Sequence, residues 1–227
     1  EQFKNSHGLV YSMDSQMESD LYCELESGSN IALEQISNNI MKGAFVGNTS
    51  VDTLVLMPWF SDEIALEDGS LAGGSVRTIV CATDEQVAYV EQHKAAAGAP
   101  DARVIKMSLS QEGYLYYDNG GETILLSGAG DEDGHLPATY DGTLLTDGGK
   151  QLKVNAIAPH AFSGDAELKF VNLSESTSKI GRNAFENCEN LQGVFIGTSD
   201  SIEVGSDAFK GCTGLGFVAS RAKSASF

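Results

Sequence analysis

Residues 180–196 read IGRNAFENCENLQGVFI, and the same pattern flanks them on both sides. IAPHAFSGDAELKFVNL precedes them at residues 157–173, and VGSDAFKGCTGLGFVAS follows at residues 204–220. The three starts lie 23 and 24 residues apart, and equivalent positions hold an aliphatic residue, Ala-Phe, a small residue or Cys, Leu and Val. A fixed period of about 20–50 residues indicates structural repeats that stack on one another.

The same template recurs far upstream in the chain. Residues 40–56, IMKGAFVGNTSVDTLVL, place Phe45 in the aromatic position. A degenerate copy is predicted to begin 24 residues later at Ile64 and to end in VRTIVC at residues 76–81, with its aromatic position either lost or held by Leu71. Five copies at one period are hard to produce by chance, so both parts of the chain are predicted to contain repeats.

Each copy has the features of one turn of a solenoid, here called a coil. The segment Leu-x-x-Val-x-Ile alternates as a strand does, which places Val194 and Ile196 on the inward face. The Ala-Phe segment is expected to be a turn or short helix whose buried Phe contributes about 1.5–3 kcal/mol. One coil cannot cover its own apolar face, so we expect stacked coils that form a curved solenoid with a parallel sheet along one side.

The pattern I-G-x-x-A-F-x-x-C-x-x-L-x-x-V-x-I resembles the BspA-type leucine-rich repeat, and residues 180–196 match it at every position. The resemblance implies an α/β leucine-rich-repeat solenoid with parallel strands on one face. Proteins of this family are typically bacterial cell-surface or secreted proteins, often implicated in adhesion to host or neighbouring cells. An extracellular or cell-surface location and a binding role are what the resemblance implies for this chain.

A duplication at a larger scale predicts two domains, residues 1–108 and 109–227. HGLVYSMD at residues 7–14 and EGYLYYDN at residues 112–119 are similar, and each opens a β-rich lead-in to a repeat block. Residues 76–107 resemble the strand–helix–strand segment that often closes such an array, with a short helix that ends near Gly98. The second block holds three coils and shows no helical terminator of this kind.

Composition excludes several classes of partner. The chain has 14 Lys and Arg against 32 Asp and Glu, a formal net charge of −18. Because such a surface repels phosphate backbones and anionic headgroups, nucleic acid is not an expected partner. No apolar run approaches the roughly 18 residues of a membrane-spanning helix, so no membrane insertion is expected. The chain opens at Glu1 without a basic and then apolar leader, and we expect any signal peptide to have been removed.

No pattern typical of catalysis or metal binding is present. The four histidines have no paired spacing, and the sequence contains no His-Glu-x-x-His, Gly-x-Ser-x-Gly, phosphate loop or zinc pattern. The acidic loop GAGDEDGH at residues 128–135 offers carboxylates for Ca²⁺, but without the spacing of an EF-hand a solvated turn is favoured. We therefore predict no enzymatic activity, no cofactor and no metal.

The cysteines are expected to be packing residues. Cys188 and Cys212 occupy equivalent positions of adjacent coils, which allows either a disulfide or a ladder of small buried side chains. The ladder is favoured because free Cys is among the most buried residue types. Cys23 and Cys81 occupy separate strand-like positions and are expected to be reduced as well.

The outward strand positions are the predicted binding site. Residues next to the inward valines must point outward, and they include three phenylalanines on three successive strands, expected about 4.8 Å apart as an apolar stripe. The candidate binding residues are Phe170, Asn172, Phe195 and Phe217, with Trp59 at the rim of the first block. In the first block the residues predicted to point outward are smaller than phenylalanine: Thr53, Val55, Thr78 and Val80.

Two interpretations of the stripe remain open at this point: a contact surface for a partner, or a face covered by other parts of the structure or by a second copy. The first favours a non-catalytic adhesion module that recognises an unknown protein or glycan of a host or neighbouring cell. The alternatives are a structural spacer and an accessory domain of a larger surface protein or enzyme. Oligomeric state and ligand identity are not predicted by the sequence.

Overall fold

The computed structural model describes residues 29–33, 39–40, 42–49, 51–56, 65–128, 138–198 and 200–226. The chain divides into two compact units, unit 1 at Glu1–Met107 and unit 2 at Ser108–Phe227. Parallel strands dominate the described part of both units, and the predicted parallel-strand solenoid is confirmed.

Unit 1 builds two parallel sheets and ends in a helix followed by a strand. Its elements are β1 (Ser29–Leu33), β2 (Asn39–Ile40), β3 (Val51–Leu56), β4 (Ala65–Leu66), β5 (Thr78–Cys81), α1 (Asp84–Ala97) and β6 (Arg103–Lys106). The main sheet has the order β1-β3-β5-β6, and β2 pairs with β4. The segment β5–α1–β6 therefore has the strand–helix–strand arrangement that the sequence predicted.

The degenerate coil of unit 1 has a buried residue in the aromatic position, but it begins later in the chain than predicted. The Phe45 backbone N–H donates to the Ser70 carbonyl at 3.1 Å, which seats Leu71 in the position below Phe45 and so decides between the two predicted alternatives. Both side chains are buried in one cluster. The start was predicted wrongly, since Ile40 pairs with Leu66 and not with Ile64. The offset from Ile40 to Leu66 is 26 residues, two more than predicted, and Ile64 itself lies outside the described residues.

Helix α1 takes the place of a further coil. It begins after Thr83, whose hydroxyl accepts a hydrogen bond from the Gln86 N–H at 3.1 Å, and it ends at Gly98 with φ 98°. The Leu71 N–H donates to the Ala97 carbonyl at 2.7 Å, so the last helical turn stacks on the degenerate coil. A Cβ on Gly98 would come within 2.6 Å of the Ala72 Cβ, so this junction requires glycine for both conformation and space.

The outward positions of unit 1 are buried, contrary to the prediction. Thr53, Val55, Thr78 and Val80 are at most 6% exposed, although their neighbours Leu54 and Ile79 fill the opposite face of the same strands. The runs VDTLVL and TIVC are nearly continuous in apolar and Thr residues, which is typical of parallel strands buried on both faces. This sheet therefore offers no outward-facing site at these four positions.

Unit 2 contains two long sheets and a small hairpin. Its strands are β7 (Ser108–Leu109), β8 (Tyr114–Asp118), β9 (Thr123–Gly128), β10 (Thr139–Asp141), β11 (Thr146–Asp147), β12 (Lys150–Gln151), β13 (Val154–Ile157), β14 (Phe170–Leu173), β15 (Lys179–Ile180), β16 (Gly193–Ile196), β17 (Ser201–Val204), β18 (Phe217–Ser220) and β19 (Ser224–Ser226). One parallel sheet has the order β10-β14-β16-β18, and the other has the order β19-β17-β15-β13-β9-β8-β7.

The second sheet is an addition to the one that the sequence predicted. The aliphatic residues that open the three copies, Ile157, Ile180 and Val204, align in register along β13, β15 and β17. The antiparallel pair β8 and β9 forms the predicted β-rich lead-in and joins this sheet through β9. Each coil of unit 2 therefore contributes one strand to each sheet.

Between the two sheets lies a column of stacked aromatic rings. Phe162, Phe185 and Phe209 follow one another in equivalent positions, and each ring contacts the next nearly face to face. Phe162 and Phe185 are buried, and Phe209 is partly buried at the end of the column. The alignment of these three residues is confirmed.

A candidate binding groove on unit 2

The sheet β10-β14-β16-β18 presents one face to the core and one face away from it, here called the outward face. Val171 and Val194 point inward and are fully buried, as predicted. Val218, predicted to be equally buried, is 52% exposed. It lies on β18, which has a paired strand on one side only among the described residues. Val194 lies on β16, which has a paired strand on both sides, so Val218 has less cover.

The three outward phenylalanines do not form one row. Phe170 pairs in register with Gly193, which pairs with Phe217. Phe195 lies two residues further along its strand, where its register partners are Asn172 and Ala219. The predicted ladder with a spacing of about 4.8 Å is therefore wrong, because Phe170 and Phe217 precede the inward valine of their strands and Phe195 follows it.

The Phe217 ring lies across the neighbouring strand. A Cβ built on Gly193 would come within 2.3 Å of the Phe217 Cζ, so the ring occupies the space above this glycine. From there it meets the Phe195 ring edge to face, with centroids 5.2 Å apart and planes at 71°. Phe195 and Phe217 are each 44% exposed, and Phe170 is half-buried. The two exposed rings thus support one another on the outward face.

A groove with a volume of about 770 Å³ runs over this face and the ends of its strands. Its walls combine apolar side chains, small polar groups and four charged residues. The lining residues are Thr139, Asp141, Gly142, Thr143, Gln151, Leu152, Lys153, Phe170, Asn172, Leu173, Ser174, Glu175, Ser176, Phe195, Ile196, Gly197, Ala219, Ser220 and Arg221. This volume lies within the range of about 300–1,000 Å³ typical of small-ligand sites.

A carboxylate is fixed in position at one side of the groove. The Asp141 Oδ1 accepts hydrogen bonds from the Thr143 N–H at 3.0 Å, the Thr143 hydroxyl at 2.6 Å and the Asn172 amide at 3.0 Å. These bonds tie β10 to β14 through side chains as well as backbone. Because Asn172 is the register partner of Phe195, the fixed polar pair lies beside the aromatic wall.

The structure brings together three of the five predicted site residues. Phe170, Asn172 and Phe195 line the groove, whereas Phe217 supports Phe195 from outside the lining. Trp59 lies outside the described residues. The sequence interpretation missed the acidic and basic lining residues, above all Asp141. The signal that could have found it is the inward Tyr140, which pairs with Val171 and marks β10 as a further coil strand.

Cys188, Cys212 and His160 have the surroundings of packing residues. The Cys188 thiol donates to the Phe162 carbonyl and the Cys212 thiol to the Phe185 carbonyl, each at 2.9 Å. Burial raises the pKa of Cys188 to about 12. Burial also lowers the pKa of His160 from 6.5 to about 4, with Arg182 adding to the shift and Glu186 opposing it. Cys81, Cys188 and Cys212 are free, and Cys23 lies outside the described residues.

The described ranges of the chain contain no group of three or more His, Cys, Asp or Glu side chains placed to hold a metal ion. Most of the acidic loop at residues 128–135 lies outside them. No helix within the described ranges has the length and apolar character to cross a membrane.

Comparison with known proteins identifies the repeat type. Residues 142–223 match the family model described as BspA type Leucine rich repeat region, in 6 copies, which confirms the resemblance for this part of unit 2. A solved structure of a leucine rich cell surface protein from Faecalibacterium prausnitzii A2-165 is 16% identical and has a TM-score of 0.35, covering 82% of this chain and 65% of that chain. This chain therefore spans less than two thirds of that solved chain. No curated protein matches the chain.

Proposed function

We propose that the chain is a non-catalytic, secreted or surface-displayed module that binds a protein or glycan partner in the groove of unit 2. The observation that carries the proposal is the placement of the exposed Phe195 ring beside the fixed Asp141–Asn172 pair. An aromatic side chain next to convergent polar groups in a concave surface is the usual composition of a binding site. Repeats of the BspA type are typical of bacterial surface and secreted proteins, which supports the location.

Rigidity of the sheet supports binding by the groove. β14 and β16 are hydrogen-bonded to strands on both sides, and their inward side chains are buried in the core. Outward side chains on such strands are held in place before a partner binds. Binding therefore costs little conformational entropy. The partner is therefore selected by the side chains of the outward face.

The test is binding of the purified chain to immobilised mucin glycans and extracellular-matrix proteins, measured beside a Phe195→Ala variant. Leu109→Ala is the matched control, because Leu109 is 53% exposed in unit 2 and does not line the groove. We expect saturable binding by the parent and the control, and a loss of about tenfold or more in the Phe195 variant. Binding that all three proteins share equally, or no binding by any, contradicts the proposal and favours a spacer or accessory domain.

A further inference from the structure

The polar side of the groove has unused hydrogen-bonding capacity. The Asp141 Oδ1 accepts three hydrogen bonds, while the Oδ2 accepts none from the described residues. The Asn172 amide uses one N–H on Asp141, which leaves its second N–H and its carbonyl oxygen without a described partner. A carboxylate oxygen and an amide held side by side bind neighbouring hydroxyl groups, because each hydroxyl donates to the carboxylate and accepts from the amide.

The apolar wall lies on the strand next to these groups. Asn172 and Phe195 are register partners on adjacent strands, which lie about 4.8 Å apart. The Phe217 ring contacts the Phe195 ring at an interplanar angle of 71° and supports it from one side. The face of an aromatic ring carries partial negative charge and attracts the partly positive C–H groups on the flat side of a sugar. An apolar face and a rim of hydroxyls are both present in a pyranose.

The charge of the groove favours an uncharged ligand. Its lining holds two carboxylates, Asp141 and Glu175, and two cations, Lys153 and Arg221, so it is balanced in a chain of net charge −18. A polyanion requires an excess of cations at its site, and the surface of the chain as a whole repels it. A cationic ligand meets the two cations of the lining as well as its two carboxylates.

The backbone geometry disfavours an extended peptide in this groove. Peptides that bind to sheets commonly do so by adding a strand, with main-chain hydrogen bonds supplying the affinity. β14 and β16 use their backbone groups on both sides within the sheet, and the outward face presents side chains. A peptide main chain lying over β14 and β16 has no ladder to join, since the edges of this sheet are at β10 and β18. Sugar hydroxyls are matched by the Asp, Asn, Thr and Gln side chains of the lining.

From these observations we infer that the groove binds an uncharged glycan, with one sugar ring on Phe195 and its hydroxyl groups on Asp141 and Asn172. The inference rests on the proposed function and specifies its ligand. Lys153 and Arg221 lie at the groove as further hydrogen-bond donors for hydroxyl groups.

The experiment presents the full chain to an array of uncharged hexasaccharides of glucose, mannose and galactose in α and β linkages. Sialylated and sulfated glycans and extracellular-matrix proteins are printed beside them. Dissociation constants for the hits are then measured in solution for the parent, Phe195→Ala, Asn172→Ala and the control Leu109→Ala. We expect saturable binding of at least one uncharged glycan, weakened about tenfold or more by each groove variant and unchanged in the control.

Each other outcome has a distinct meaning. Binding to matrix proteins alone, lost in the Phe195 variant, overturns the glycan inference and leaves the proposed function standing. Preference for sialylated or sulfated glycans overturns the assignment of an uncharged ligand. Glycan binding that both groove variants retain overturns the site. No binding to any arm overturns the inference and the proposed function together. A thermal melt of each variant confirms that lost binding is not lost folding.

Discussion

The Phe185 ring stacks on the Phe162 ring with centroids 5.1 Å apart and planes at 8°. On its other side lies Phe209, at 5.3 Å and 4°. Phe185 is fully buried and therefore supports a coil on each side, whereas Phe209 ends the column and is partly exposed. The column thus makes the stability of unit 2 depend on position along the solenoid, as expected where coils contact only their neighbours.

Phe185→Ala is expected to lower the free energy of unfolding by about 3–5 kcal/mol, because it opens a cavity between two coils. Phe209→Ala is the control and is expected to cost clearly less, since its ring has one stacked neighbour and reaches solvent. Urea unfolding followed by circular dichroism measures both. A Phe185→Ala variant with the parental midpoint would mean that the repeat register is wrong.

Thiol reactivity is expected to follow burial. Burial raises the pKa of both Cys81 and Cys188 to about 12, and it raises the pKa of Cys212 as well. At pH 8 we expect a pulse of iodoacetamide to modify the partly exposed Cys212 first of these three, and the other two only when denaturant is added. Peptide mass spectrometry gives the order. Equal rates for Cys188 and Cys212 in the native protein would contradict it.

His160 is expected to make stability depend on pH. Above about pH 6.5 the imidazole is neutral in both the folded and the unfolded chain. Between pH 6.5 and about 4 the unfolded chain takes up a proton that the folded chain resists, because burial has lowered the folded pKa to about 4. Stability from this group is therefore lost as the pH falls through that window.

The variant His160→Asn removes the titrating group without changing the backbone. His160 has φ 58°, and the equivalent residue of the next coil is Asn183 with φ 53°, so asparagine suits this conformation. From pH 7 to pH 5 we expect the variant to lose about 1 kcal/mol less of unfolding free energy than the parent, after allowance for solvent screening. Equal losses in paired urea titrations would refute the assignment.

Gly193→Ala is expected to displace the Phe217 ring. Its new Cβ would meet the far end of that ring, which moves more readily than backbone. The edge-to-face contact with Phe195 is then lost, at a cost of about 0.5–1.5 kcal/mol. Gly216→Ala is the control, since its Cβ would make an ordinary contact with the Gln192 carbonyl at 3.5 Å. Ring-proton NMR shifts of Phe195 should change in the first variant and stay constant in the second.

The repeat block of unit 2 was predictable from its sequence because stacking imposes the same demand at the same position of every coil. The same space behind each strand is filled by an aromatic ring, which is why Phe162, Phe185 and Phe209 recur. Their spacing of 23 and 24 residues follows from the length of a coil. The degenerate coil of unit 1 was less predictable, because Leu71 fills the aromatic position after an extension that shifts the start to Leu66.

The candidate site was only partly predictable. Alternation along single strands identifies Phe170, Asn172 and Phe195 as outward residues, since side chains alternate about a strand. Aligning the inward valines of the repeats already places Phe170 and Phe217 one residue before the valine and Phe195 one residue after it. Only the structure shows that the Phe217 ring lies over Gly193 and contacts Phe195, because side-chain packing is decided in the assembled sheet.

The sequence by itself determined the local features of this protein: the repeat, the inward residues and the helix that ends near Gly98. These features depend on contacts between neighbouring coils, and such contacts leave a repeating pattern in the sequence. Tertiary structure alone decided that Asp141 meets Asn172 across 31 residues of chain, and that the outward positions of unit 1, Val55 among them, are buried. The physical reason is that these contacts join segments whose separation has no fixed period, so only the packed sheets bring them together.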